Sequence, residues 1–200
     1  MKPRIPKDLM PMFRWIVSVY LLGFGVVGCD LFSTREAEEP GDNTDLCGPA
    51  ISSDQVTTVL DCALQFHLPE DYLELFSAED YEFVPDGAAL SNHQDLLPWG
   101  FEEEAAHIRR LFSAQVVPPD SLVWVEFEDE DVLEWGDSAR YLENYTLHVG
   151  HILEGVPRDA FGRVEFTVDR TIDGTWVIRK WRDEAVGFEA TWSEIRALIR

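Results

Sequence analysis

Phe161-Gly162-Arg163-Val164-Glu165-Phe166-Thr167-Val168-Asp169-Arg170-Thr171-Ile172, then Asp173-Gly174, then Thr175-Trp176-Val177-Ile178-Arg179-Lys180-Trp181-Arg182-Asp183 is the stretch that decides the fold. Val164, Phe166 and Val168 recur at period two, which puts them on one side of a strand. Asp173-Gly174 is a type I′ signal, because both central residues of that turn need positive φ. The segment therefore reads as a β-hairpin. On the return strand Trp176 and Ile178 share parity but Trp181 does not. If all three are core residues, a bulge near Arg179-Lys180 must shift the register.

Upstream of the hairpin the same period holds. Ala139 to Leu153 reads as a long strand with Tyr145, Leu147, Val149 and His151 on one side. Leu122 to Glu128 reads as another, carrying Val123, Val125 and Phe127. Before Pro118-Pro119 the period is 3.6. Val56, Val59, Leu60, Ala63 and Leu64 predict a helix over 53–66, with Ser52 and Gln55 forming a capping box. Pro69 restarts the chain as a short helix through Tyr72, Leu73, Leu75 and Phe76. Tyr81 to Val84 alternates as a short strand and stops at Pro85-Asp86-Gly87, and residues 88–98 read as loop. Trp99 opens a third helix with a stripe of Phe101, Ala105, Ile108, Leu111 and Phe112. Glu102, Glu103 and Glu104 sit at the positive end of its dipole, Arg109 and Arg110 toward the negative end. Thr191 to Ile199 is a terminal helix capped by Thr191, with Glu194 at N3. Helices first, then a run of antiparallel strands, imply an α+β fold with helices on one face of a curved sheet.

Three stretches carry a resemblance. They are Tyr72-Leu73-Glu74-Leu75-Phe76-Ser77-Ala78-Glu79-Asp80-Tyr81-Glu82-Phe83, then Trp99 with Glu102, Glu103 and Leu111-Phe112, and the closing Gly174-Thr175-Trp176-Val177-Ile178-Arg179-Lys180-Trp181-Arg182-Asp183. Together they resemble the NTF2-like (cystatin-like, SnoaL-like) superfamily over 52–200. That resemblance implies a cone: a curved antiparallel sheet whose concave face is covered by three N-terminal helices, with a pocket open at one end. Enzymes of the superfamily place carboxylates, His or Tyr in that pocket. An isomerase- or dehydratase-type reaction needs a general base and an oxyanion donor there. Asp80, where the second helix meets the first strand, and His151 are the candidate acid–base pair. The alternatives are a solvated turn acid and a histidine at a strand end. Trp99, Tyr145, His151, Trp176 and Trp181 are the candidate pocket residues. His148 lies on the opposite parity, and His93 and His107 have no sequence partner.

The amino-terminal segment carries a second resemblance. Leu21-Leu22-Gly23-Phe24-Gly25-Val26-Val27-Gly28-Cys29 is similar to the lipobox of bacterial lipoprotein signal peptides. That similarity implies cleavage after Gly28 and acylation of Cys29. Lys2, Arg4, Lys7 and Arg14 precede a 14-residue uncharged run, Trp15 to Gly28. The run suits a signal h-region and falls short of the ~20 residues of a spanning helix. Residues 1–28 are then the signal peptide, 29–45 a flexible acidic linker and 46–200 the domain. The expected location is the bacterial envelope, with the domain outside the cytoplasm. Two or three acyl chains make a firm anchor where one is marginal.

The whole chain carries a net charge of −22. Such acidity repels phosphate backbones and argues against nucleic-acid binding. Cys47 and Cys62 remain once Cys29 is committed, and an exported chain favours a disulfide between them. No C-x₂-C pair suggests zinc. The acid run Glu126, Glu128, Asp129, Glu130, Asp131 and Glu134 lacks the EF-hand spacing and reads as a solvated edge. No cofactor or metal is expected. Three functions remain open: a non-catalytic domain binding a small apolar ligand or a protein partner, an enzyme using Asp80 and His151, and a structural protein dimerising through its sheet.

Overall fold

The two strands flanking Asp173-Gly174 pair antiparallel in the computed structural model, which describes residues 46–200. The Cys29 acylation site, the Gly28 cleavage site and the linker 29–45 lie outside the described residues. In chain order the elements are α1 (Gln55–Gln65), α2 (Pro69–Glu74), β1 (Glu82–Val84), α3 (Gly87–Asn92), α4 (Phe101–Leu111), β2 (Val123–Trp135), β3 (Ser138–Val149), β4 (Asp159–Arg170), β5 (Trp176–Ala185) and α5 (Trp192–Leu198). A short 3₁₀ turn, Gln94–Leu96, links α3 to α4. The strands form one sheet in the order β1-β5-β4-β3-β2. All pairs are antiparallel except β1 with β5, which run parallel. The fold is α+β, a curved open sheet with helices. No helix among the described residues is long and apolar enough to cross a membrane.

The expected bulge is present. Thr167 faces Lys180 and Val168 faces Ile178, so Arg179 is the extra residue on β5. It turns outward, and both Ile178 and Trp181 become fully buried. A second extra residue on β2 shifts the register between Glu128 and Asp131. β2 therefore runs through the acid stretch instead of ending at it. The turn at Gly174 differs from the type I′ expectation. Gly174 has φ 89°, and Asp173 keeps a negative φ. The Gly174 N–H donates to Thr171 O at 3.0 Å and the Thr171 N–H to Thr175 O at 2.7 Å. This is a three-residue loop, a turn followed by a glycine in the left-handed region.

Other boundaries moved for local reasons. Asp54, not Ser52, precedes α1, and Ser53 Oγ instead donates to Glu134 Oε1 on β2 at 2.8 Å. Residues 88–98 are not a plain loop: Asp86 accepts from the Ala88 and Ala89 N–H groups and so starts α3. The long third strand ends at Val149, leaving His151 beyond it. Thr191 caps α5 as expected, accepting from the Glu194 N–H. α1 lies over β2, and α5 packs on α3 and β4.

Candidate binding site

The interior is built around two opposite charges. Arg196 of α5 and Glu104 of α4 have fully buried side chains, and Arg196 Nη2 donates to Glu104 Oε1 at 2.8 Å. Glu104 accepts three more donors: Tyr72 Oη at 2.6 Å, Tyr81 Oη at 3.2 Å and Trp99 Nε1 at 2.7 Å. The guanidinium carbon lies 4.1 Å from the ring centres of both Phe83 and Trp181. Arg196 Nε and Nη1 make no hydrogen bond. Aromatic faces meet that part of the charge.

Burial pushes the Glu104 carboxyl up, but Arg196, the His107 ring and the hydrogen bonds from Arg196 and Tyr72 outweigh it, so its pKa is lowered. Burial likewise works against the charge of Arg196, yet Glu104 and the two tyrosines raise its pKa. Burial first and Glu104 second raise Tyr72 and Tyr81 well above 10.0. Burial lowers His107 to about 4 against the pull of Glu104. The arrangement is a carboxylate held ionised with four donors already on it. A general base needs a lone pair within reach of a substrate proton. Glu104, with no solvent-accessible surface, offers none.

A second network fastens α5. Tyr145 Oη donates to Asp183 Oδ1 at 2.8 Å and accepts the Trp192 N–H at 2.7 Å. Asp183 Oδ2 also accepts the Ser193 N–H at 2.7 Å and Ser193 Oγ at 2.5 Å. Thr191 Oγ1 donates to Asp86 Oδ2 at 2.5 Å, and the Asp86 N–H donates to Ser193 Oγ at 3.0 Å. Burial raises the Asp183 pKa, against the opposing pull of Ser193 and Tyr145. Gly162 makes the network possible: a Cβ there would sit 2.6 Å from Tyr145 Oη and 2.8 Å from Glu184 O.

The structure does not bring Asp80 and His151 together. Asp80 is half exposed and pairs with Arg179 Nε at 2.8 Å, and Ser77 Oγ donates to it. It therefore holds the bulge residue, which also binds Asp169 at the far end of β4 at 2.7 Å. His151 is buried in the connection before β4. Its Nε2 lies 2.9 Å from Pro157 O, and its Nδ1 accepts the Leu153 N–H at 3.2 Å. Asp159 and Asp169 bound most of β4, and a strand rises ~3.3 Å per residue, so the two sites lie near opposite ends of the sheet. As an acid–base pair they are excluded by geometry. Trp99, Tyr145 and Trp181 do face the interior, as core and network residues. His107 is buried too, its Nδ1 3.3 Å from Ile199 O. Cys47 and Cys62 are bonded, with Cα atoms 5.8 Å apart.

Trp176, one of the expected pocket residues, lines an open recess. That recess has a volume of about 200 Å³, and Gly48, Pro49, Val59, Asp71, Leu75 and Trp176 contribute to its lining. Among the described residues no group of three or more His, Cys, Asp or Glu side chains is placed to hold a metal ion.

The sequence reading missed Glu104, Arg196, Asp183 and Asp71. Two of the signals were present. Glu104 falls three residues after Phe101 and four before Ile108, on the apolar stripe, not on the solvent side with Glu102. Arg196 falls one turn after Trp192 and three residues before Ile199, on the buried side of α5. Charge at a core position is the informative sign.

No known family description matches the chain, and no curated protein matches it. Among solved structures it is similar to a conserved protein from Planctomyces limnophilus at 17% identity. That match covers 66% of this chain and 92% of that one, with a TM-score of 0.53. It is also similar to an NTF-2 like protein of unknown function from Shewanella oneidensis at 16% identity, covering 66% and 95%, with a TM-score of 0.47. A protein of unknown function with a cystatin-like fold from Nostoc punctiforme matches at 13% identity, covering 67% and 88%, with a TM-score of 0.45. At these identities the likeness to the Planctomyces limnophilus protein, at a TM-score of 0.53, concerns the fold alone.

Proposed function

We propose that the chain is a lipid-anchored protein of the bacterial envelope whose NTF2-like domain binds a small ligand or a protein partner and does not catalyse. The observation that carries this reading is the filled interior. Arg196 enters from the chain's own last helix, Glu104 is committed to it, and Phe83 and Trp181 close over it. A ligand must then meet the domain from outside. The outer face of the sheet carries Glu126, Arg163, Arg182 and Glu184 beside exposed Leu133 and Phe161, and the recess at Trp176 is the concave feature to which this reading assigns recognition. The lipobox-like Val26-Val27-Gly28-Cys29 supports the anchor, and the acidic 29–45 supports a spacer that keeps the domain off an anionic surface.

Two measurements test this. Intact mass of the chain recovered from bacterial membranes is expected to start at Cys29 with added acyl mass. Recovery of residues 1–28 still joined to an unmodified thiol removes the anchor. Methyl NMR during a small-molecule screen is expected to leave Val164, Val168 and Ile178 unmoved while surface signals shift. Ligand shifts at those interior methyls, or turnover of a bound compound, overturn the non-catalytic reading.

A further inference from the structure

We infer that the recess beside the Cys47–Cys62 disulfide is a binding site for a primary alkylammonium group, an inference that rests on the binding-domain reading. Asp71 carries it. This residue is only 8% exposed, yet it lines the recess. Its Oδ2 accepts one hydrogen bond, from the Cys47 N–H at 3.3 Å. None of the ion pairs formed among the described residues includes it. A carboxylate set in the wall of a narrow recess, with no countercharge among the described residues, attracts an arriving cation more strongly than one surrounded by bulk water.

The other walls fit the rest of such a ligand. Trp176 supplies an aromatic ring for a cation, and Pro49, Val59 and Leu75 supply apolar surface for the alkyl chain. A volume of about 200 Å³ suits one alkylammonium arm and is too small for a drug-sized molecule. The recess is also preformed. The disulfide holds the strip Gly48-Pro49-Ala50 to α1, and the Trp176 N–H donates to Ala50 O at 2.8 Å, fixing the opposite wall. Preorganised walls reduce the ordering loss on binding. The strongly acidic chain draws cations toward it from a distance.

The probes are n-butylammonium chloride, Nα-acetyl-lysine N-methylamide and, as the neutral control, n-butanol. Each is titrated into the oxidised domain, residues 29–200 with Cys29→Ser, while the Trp176 indole and the Cys47 and Asp71 amides are followed by NMR. Saturable shifts with an amine and none with n-butanol are expected. Asp71→Asn keeps an acceptor for Cys47 and is expected to weaken binding at least tenfold. Trp176→Leu, with the sheet intact by chemical shift, is expected to weaken it severalfold. Binding of butylammonium without the lysine amide assigns a free amine. Binding of the lysine amide without butylammonium assigns a lysine of a protein partner. Equal response to n-butanol, unchanged binding in Asp71→Asn, or no saturation by either amine up to about 50 mM overturns the inference. The acyl mass at Cys29 and the interior methyl signals are separate readouts, so failure here leaves the anchor and the filled interior standing.

Discussion

Arg196→Met is the sharpest test of the interior, because its expected effect differs from that of its partner's replacement, Glu104→Leu. Arg196→Met removes the cation from a pair with no exposed surface on either side. Breaking such a pair costs roughly 3–5 kcal/mol, because one charge stays buried and unpaired. The thioether fills the slot between Phe83 and Trp181 and retains some aromatic contact. Glu104→Leu strands Arg196 and also orphans Tyr72, Tyr81 and Trp99, which all donate to Glu104. Each buried donor left unmade costs about 1–3 kcal/mol. Glu104→Leu should therefore lose several kcal/mol more than Arg196→Met, close to the whole stability of a domain this size, about 5–15 kcal/mol. Urea denaturation at pH 7, comparing midpoints at constant slope, measures both. The pH dependence adds a second mark. In the natural chain Glu104 titrates below its unfolded value, so its contribution is present above the unfolded pKa and fades as pH falls through the folded one. Without Arg196, burial dominates and the folded pKa rises above the unfolded value. The variant then gains relative stability on acidification and loses it as pH rises through the raised pKa. An Arg196→Met loss below about 1 kcal/mol, or a Glu104→Leu loss no greater than that of Arg196→Met, would refute the reasoning.

His107 is lowered from 6.5 to about 4, chiefly by burial, so the unfolded chain binds the extra proton in that window. Its contribution is complete above pH 6.5 and is lost by roughly 3 kcal/mol as pH falls to 4, so His107→Leu should flatten the stability–pH curve there. Tyr145→Phe removes the donor to Asp183 and the acceptor for the Trp192 N–H. It should cost about 1–3 kcal/mol and raise amide exchange at Trp192 and Ser193 before the rest of the domain. Reduction of Cys47–Cys62, which closes a loop of sequence separation 15, should cost about 3 kcal/mol by the chain-entropy argument. Thermal melts with and without reductant measure it.

The parts of the fold that were legible from sequence are those where one period rules. The hairpin, the stripes of α1 and α4 and the Arg179 bulge follow from side-chain parity, since a residue out of phase must flip or force an extra residue into the strand. The Thr191 cap followed from residue type alone. Illegible were the places where a polar side chain chose a distant partner. Ser52, the expected cap, gives way to Asp54 while its neighbour Ser53 bonds Glu134 across 81 residues, and Asp86 serves both α3 and Thr191, 105 residues away. Asp80 and His151 were chosen because they are ionisable and fall near expected pocket positions. The structure spends Asp80 on the outward-turned bulge residue and His151 on its own connection. Parity names a side of a strand. It does not say how far along the strand the chain stops.

The two ends of the domain follow one logic. Fastening α5 through Tyr145, Asp183 and Ser193 lets a seven-residue helix deliver an arginine to the centre, although a helix that short has no stability of its own. At the other end the disulfide and the Trp176–Ala50 hydrogen bond hold a strip of chain with no regular structure against α1 and β5. Both devices order a segment that the sheet would otherwise leave loose. At the centre the charge has its partner, and the interior is closed. At the rim Asp71 shares the recess with Trp176 and accepts one backbone donor. Asp183 and Asp86 are also buried carboxylates, but each accepts three hydrogen bonds, whereas Asp71 accepts one and lines the recess proposed to take an ammonium group.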